Sequence, residues 1–423
     1  MKIKVIKKTW QQVKAMPKQK HLKPRKPMLL FRLILKVVGI FDLWATHFKA
    51  EFLNEIPKKP ALILMNHSSF IDLEIASSIF YSRPMCIVCT SDAFVGKKLL
   101  MRLLGCIPTN KFVTDMTLIK DMHKVIKQGA SVLMYPEASY SFDGRATTLP
   151  QKLGTLVKFL NVPVIMVKTS GAFLRDPLYN GLQKRKTKVS ATVETIINEK
   201  QVKEFSPNEI SQIIQKEFTF DNFKQQQEQK IKIDEPFRAD FLERILYKCS
   251  VCKQENCLKG KGIKITCQNC GKTHTLTEYG FLSADDGEQT FTHIPDWFLW
   301  EREEVKKEIE EGKYLLDCEV NILVLADFKA IYDIGKGRLV HNEEGFKLYI
   351  DDEEICSRSP LDSYGLYADY YWYSRGDVIC IGNKERLYYC LPQTPCSVAK
   401  ARLATEELYK IVMEEKHSKK TEA

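Results

Sequence analysis

Pro60 opens a continuous apolar run, Ala61 to Met65, with the length and bulk of a buried strand, and Ser131 to Met134 is a second run of the same kind. After the first run, Ile71, Leu73, Ile75, Ala76 and Ile79 recur at helical spacing, and Ser68 or Ser69 is placed to cap that helix. Val162-Pro163-Val164-Ile165 follows another helix, and the alternation of Val189, Ala191, Val193 and Thr195 within Lys184 to Ile197 predicts a closing strand. Short buried strands alternating with helices predict an α/β unit built on a mixed, mainly parallel sheet flanked by helices.

The pattern changes toward the C-terminus. Ser206-Pro207-Asn208-Glu209 supplies an N-cap, an N1 proline and an N3 glutamate, which start a helix predicted to reach about Phe218. A Gln/Lys-rich stretch near Gln225 to Lys232 reads as an exposed helix or linker, and a second helix is expected over Pro236 to Tyr247. From Leu315 to Pro392, short strand-like runs punctuated by Gly335, Gly337, Gly345 and Gly376 predict a small all-β module. Its aromatic cluster, Tyr364, Tyr367, Tyr370, Tyr371, Trp372 and Tyr373, suits half-buried strand faces, with lipid or partner binding the alternative. Lys400 to Glu415 closes the chain as an amphipathic helix.

Charge alters the reading of the N-terminus. Among 423 residues, 44% hydrophobic and 28% charged, the net charge is +11. Met1 to Phe41 holds twelve Lys or Arg and no Asp or Glu, enough to account for that excess. Met28 to Ala50 is rich in Leu, Ile, Val and Phe but interrupted by Arg32, Lys36 and Asp42, so its apolar stretches fall short of the ~20 residues a spanning helix needs. On a helical wheel Arg32, Lys36, Asp42, Thr46 and His47 share one half, with Leu35 and Leu43 intruding. A polybasic leader and an interfacial helix directed at an anionic membrane surface are expected; a nucleic-acid arm or a solvated tail are the alternatives. The long charged segment and the charges within the apolar part do not fit a signal peptide.

The chemistry concentrates at Asn66-His67-Ser68-Ser69-Phe70-Ile71-Asp72, where an imidazole and a carboxylate lie five positions apart at a strand-to-helix corner. A histidine there can take a proton from an alcohol attacking a carbonyl while the carboxylate holds its other nitrogen. The plainer reading makes His67 a hydrogen-bonded structural residue and Asp72 a helix-start acid.

Three further blocks follow in order: Gly105 to Lys111 (GCIPTNK), Tyr135 to Gly144 (YPEASYSFDG), and Val162 to Ile165. With the first, they make this stretch resemble the glycerolipid acyltransferase family related to 1-acylglycerol-3-phosphate acyltransferase. The resemblance implies that His67 is a general base, that Asp72 is its partner, and that Glu137 belongs to the acceptor or structural shell. Candidate substrate-binding positions are Asn66, Gly105, Lys111, Glu137, Ser139 and Arg145. Lys111 and Tyr140 stand where the family usually has arginines; a lysine is a point charge and a tyrosine carries none, so Arg145 is the nearest candidate guanidinium. Small residues in the third block suit loops whose amides approach an oxyanion. Lys97, Lys98 and Arg102 are further candidates for an anionic headgroup or an acidic carrier, or else a solvated basic face.

Cys249-x2-Cys252 and Cys267-x2-Cys270, fourteen residues apart, have the spacing of two zinc knuckles and resemble a zinc ribbon. Four thiolates leave no open position, so the zinc is expected to be structural; Cys257 and His274 are substitutes that improve on none of the four. The competing reading is two disulfides, which the odd total of thirteen cysteines argues against in what reads as a reduced, intracellular chain.

These readings divide the chain into a basic leader and interfacial helix (1–50), an acyltransferase domain (51–200), a helical linker (201–247), a zinc ribbon (248–282), a β-rich module (283–396), and a C-terminal helix and tail (397–423). The expected function is transfer of a fatty acyl group from an acyl-CoA or acyl-carrier thioester donor to a lysophospholipid (1-acylglycerol-3-phosphate-like) acceptor, in the cytoplasm at the inner face of a membrane. Nucleic acid is not the expected partner. The alternative is a catalytically inactive, membrane-docked zinc-ribbon adaptor.

Overall fold

The computed structural model describes residues 2–421. Seven strands form the first sheet, in the order Lys49–Phe52, Ser190–Ile197, Val164–Ser170, Leu62–Met65, Ser131–Met134, Met85–Thr90, Cys106–Thr109. Every neighbouring pair is parallel except Val164–Ser170 with Ser190–Ile197, so the mixed, mainly parallel sheet forms with the closing strand antiparallel. Leu62 to Met65 is continuously apolar because both faces are covered. Ile63 and Met65 join one core layer with Ile71 and Ile75, while Leu62 and Leu64 join the opposite layer with Val157 and Ile210.

That second layer corrects the reading of residues 201–247 as a linker. Ser206 and Glu209 form the expected capping box, but helix Pro207–Glu217 packs on helix Leu153–Leu160 and buries Ile210 and Ile214 against the first sheet. Contact is so close that a Cβ at Gly154 would stand 1.8 Å from the Pro207 carbonyl oxygen. The helix expected over Pro236 to Tyr247 does not form. The chain there runs in turns with one short 3-10 segment, Leu242–Arg244, because Phe241 takes a left-handed conformation and its N–H binds the Gly260 carbonyl.

Four short antiparallel strands, Leu258–Lys261, Lys264–Cys267, Thr273–Leu276 and Leu282–Ala284, make a small sheet around the cysteine pairs. Helix Ile294–Glu310, absent from the sequence-based expectation, follows it and buries Trp297, Phe298 and Val305. The C-terminal sheet then runs Glu353–Arg358, Gly345–Ile350, Ile331–Asn342, Leu316–Leu325, Leu387–Pro392, Val378–Gly382, Tyr367–Asp369.

The N-terminus is not a free basic leader. Val5–Lys7 adds a parallel strand to this last sheet, pairing Val5 with Ile331, and Trp10 and Val13 enter its core. Lys14 pairs with Glu353 at 2.6 Å and Lys18 pairs with Glu385, so part of the basic excess is used within the fold. The C-terminal sheet in turn packs on the unit built around the first sheet: Tyr367 Oη and Trp372 Nε1 each donate to Asp92 Oδ2 at 2.9 Å, and Tyr370 packs against Phe142.

Candidate active site

Strand Leu62–Met65 delivers Asn66 and His67 to its C-terminal lip, where open α/β sheets place their chemistry. Neither serine caps the following helix, Ile71–Ile79, through its side chain. Asp72, inside the first turn, instead reaches back to the residues before the helix. Its Oδ2 accepts the backbone N–H groups of Ser68 (2.7 Å) and Ser69 (3.0 Å) and lies 3.1 Å from His67 Nδ1. Thr169 Oγ1 approaches the other oxygen at 3.5 Å. The carboxylate is wholly buried, and these donors fix it.

An Nδ1–H directed at Asp72 leaves Nε2 of His67 as the acceptor nitrogen. The ring is sandwiched by Tyr135 (centroids 4.0 Å) and Tyr140 (4.2 Å), with 19% of the side chain accessible. Burial holds the imidazole below its ordinary pKa, outweighing the upward pull of Asp72, and Lys111 adds to the depression. The ring is therefore neutral at pH 7, the form a general base needs. Tyr140 is one wall of this sandwich; the sequence places both tyrosines in the third block, but their stacking on the imidazole leaves no spacing signature.

Glu137 locks the first and third blocks together. It is fully buried, and its two oxygens accept the backbone N–H groups of His67 and Thr147, each at 2.9 Å. Burial pushes its carboxyl up to about 7 despite these bonds. Ser139 is buried nearby in the same block, its Oγ without a hydrogen-bond partner. Asn66 turns inward instead: its Oδ1 accepts Thr169 N–H at 2.7 Å and its Nδ2 donates to Thr169 carbonyl at 3.3 Å, clamping two strands. Gly105 is a packing position, since at φ 82° a Cβ would meet Pro27 at 2.8 Å.

Lys111 enters the site's electrostatics but faces the C-terminal module. Its Nζ lies 4.3 Å from the centroid of the Tyr367 ring, and burial lowers its pKa against the pull of Asp369 and Asp92. Asp369 is itself pushed up to about 7 by burial. A narrow cavity of about 40 Å³ starts at Lys111 and continues among Phe112, Leu366, Ile381 and Leu408; His67 is not in its wall. Arg145 is not brought to the imidazole either. It pairs with Asp143 at 2.9 Å, donates to the Pro295 carbonyl at 2.5 Å, and lines a separate cavity with Arg302 and Arg402. No signal local to the third block could reveal Arg402, which arrives from the C-terminal helix, Val398–Thr421.

The four cysteines converge. The sulfurs of Cys249, Cys252, Cys267 and Cys270 all lie within 4.8 Å of one another, with Cys249–Cys270 at 3.8 Å and Cys252–Cys267 at 3.7 Å. A tetrahedron with Zn–S near 2.3 Å has edges of about 3.8 Å, so the set fits zinc. All thirteen cysteines are free thiols, and Cys252 and Cys267 also accept N–H bonds from Asn269 and Cys270, each at 3.4 Å. Cys257 lies 3.4 Å from Cys267, but neither it nor His274, buried against Trp297, belongs to the cluster.

Residues 47–168, the span carrying all four blocks, match the family model described as Acyltransferase. That match spans less than a third of the chain. Among solved structures it is similar to the 1-acyl-sn-glycerophosphate (LPA) acyltransferase PlsC from Thermotoga maritima, at 14% identity and a TM-score of 0.37, over 44% of this chain and 76% of that one. No curated protein matches the chain.

Proposed function

We propose that the protein transfers a fatty acyl group from an acyl-CoA or acyl-carrier thioester to the hydroxyl of a lysophospholipid of the 1-acylglycerol-3-phosphate kind, at a membrane surface. The observation that carries this reading is a neutral imidazole with Nδ1 held 3.1 Å from a buried carboxylate and Nε2 left to accept a proton. His67 Nε2 takes the acceptor's hydroxyl proton as the oxygen attacks the thioester carbonyl. The tetrahedral oxyanion then collapses, the C–S bond breaks, and the imidazolium returns the proton to the departing thiolate; Asp72 stabilises the imidazolium throughout. Donors for the oxyanion come from the small-residue loop of the third block.

The membrane part of the proposal rests on helix Leu29–Ala45, which is inverted relative to an ordinary surface helix. Its polar residues face the protein: Asp42 pairs with Arg175 (2.7 Å) and Lys184 (2.9 Å), Arg32 donates to the Tyr81 carbonyl, and Lys36 lies over the Tyr81 ring. Its apolar residues face outward, with Leu30 60%, Val38 66%, Phe41 78% and Trp44 80% exposed. No helix among the described residues is long and apolar enough to cross a membrane, so this face would lie along one. Each such side chain wholly withdrawn from water contributes about 1.5–3 kcal/mol, and the flanking cations add attraction to anionic headgroups. A peripheral position on the cytoplasmic face of the membrane is part of the same proposal.

Lipid extracts of cells overproducing the chain test it. Mass spectrometry should show a diacyl product enriched over cells carrying His67→Ala; identical profiles would favour the inactive-adaptor reading, which the intact His67–Asp72 pair speaks against.

A further inference from the structure

A second polar cavity, about 290 Å³, lies between the third block and the C-terminal helix. Three guanidiniums line it, those of Arg145, Arg302 and Arg402, against two carboxylates, Asp143 and Glu406. One positive charge in its wall is therefore uncompensated by the wall itself. Glu406 is shared between Arg402 Nε (3.2 Å) and Arg302 Nη2 (2.7 Å). Arg302 Nη1 also reaches Glu407, which lies outside the wall and is matched by Lys410 at 2.7 Å.

Arg402 is the residue that stands out. It is only 5% exposed and its guanidinium lies 4.3 Å from the Phe142 ring centroid, yet its Nη1 has no hydrogen-bond partner. Thr147, in the same wall, has a buried Oγ1 in the same condition. Buried donors are rarely left unpaired unless something supplies their acceptors. The placement is also informative: Glu137 accepts Thr147 N–H with one oxygen and His67 N–H with the other, so a single carboxylate separates the cavity wall from the catalytic corner.

We propose that this cavity binds the phosphate of a phosphomonoester, with Arg402 as its principal cation and Arg145 and Thr147 as further donors. A planar guanidinium gives two parallel donors to a phosphate, and the hydroxyl supplies a third from another wall. Arg402 comes from a helix some 260 residues beyond the third block, so on this proposal the C-terminal module is part of the phosphate site. This deepens the acyl-transfer proposal and rests on it for the source of the phosphate, either the acceptor or the thioester donor.

The full chain titrated with inorganic phosphate by calorimetry tests the site without turnover. Arg402→Gln, with Arg145→Ala and Thr147→Val as variants that leave the Glu406 pairings in place, should each weaken phosphate binding by about tenfold or more. Unchanged binding in folded Arg145→Ala and Thr147→Val would overturn the proposal. Kinetics then locate the source. A KM rise confined to the phosphorylated acceptor, and absent with its dephosphorylated analogue, assigns the acceptor. A rise confined to the CoA thioester, and absent with a phosphate-free short thioester, assigns the donor. If wild type binds phosphate through these residues but turns over no thioester, the site stands and the acyl-transfer reading falls.

Discussion

Asp72 carries more than its place in the chain discloses. One of its oxygens holds three groups, His67 Nδ1 and the N–H groups of Ser68 and Ser69, so it both shapes the corner and selects the imidazole tautomer. Asp72→Asn should keep the helix start while presenting the wrong hydrogen-bonding character to the ring, and turnover should fall by roughly 10³-fold or more. A loss below tenfold in a correctly folded variant would remove Asp72 from the chemistry. Because burial depresses the His67 pKa, protonation removes the base only on the acid side: kcat/KM should be flat at neutral pH and fall as pH drops through a value below 6.5. The same depression means that His67's contribution to folding stability is present above 6.5 and shrinks as pH falls, since the unfolded ring takes up the proton first. An apparent pKa above 7 would contradict this electrostatic picture. The corner was legible in the sequence because strand end, imidazole and carboxylate are consecutive. The fates of Asn66, Gly105 and Arg145 were not, because inward clamping by Thr169, contact with Pro27 and pairing with Pro295 depend on partners distant in the chain.

At the scale of elements, helix Leu29–Ala45 shows how a correct pattern conceals its orientation. The wheel separates polar from apolar residues, but only Arg175, Lys184 and Tyr81 reveal that the polar half faces the protein. Phe41→Glu and Trp44→Glu, at positions 78% and 80% exposed, should leave thermal stability within about 0.5 kcal/mol while sharply reducing capture by anionic vesicles. Undiminished sedimentation with the vesicles would remove this helix as the docking surface. Helix Ile294–Glu310 was missed because its acidic and basic residues dominate the pattern, although Trp297, Phe298 and Val305 form a buried stripe. At Gly154 the close approach of Pro207 leaves no room for a methyl group, so Gly154→Ala should lower stability by about 1–3 kcal/mol in urea unfolding.

At the scale of the molecule, the parts read in sequence as successive modules are joined. Val5–Lys7 pairs with Ile331–Asp333, Tyr367 and Trp372 bond Asp92 of the first-sheet unit, and the C-terminal helix brings Arg402 beside the third block. Strand pairing across more than 300 residues leaves no local trace, so the sequence alone presents the N-terminus as a basic leader. Two of the four clustered cysteines, Cys249 and Cys267, share a buried core with the C-terminal sheet. Purified protein should carry about one zinc per chain, and chelation should lower the melting temperature of the whole unit; a metal content near zero with intact thiols would contradict a structural zinc site. The central claim is tested most directly by thiol release from a purified preparation given acyl-CoA and lysophosphatidate on anionic vesicles. The account predicts steady release by the wild type and background release by folded His67→Ala, while turnover retained in that variant would contradict it.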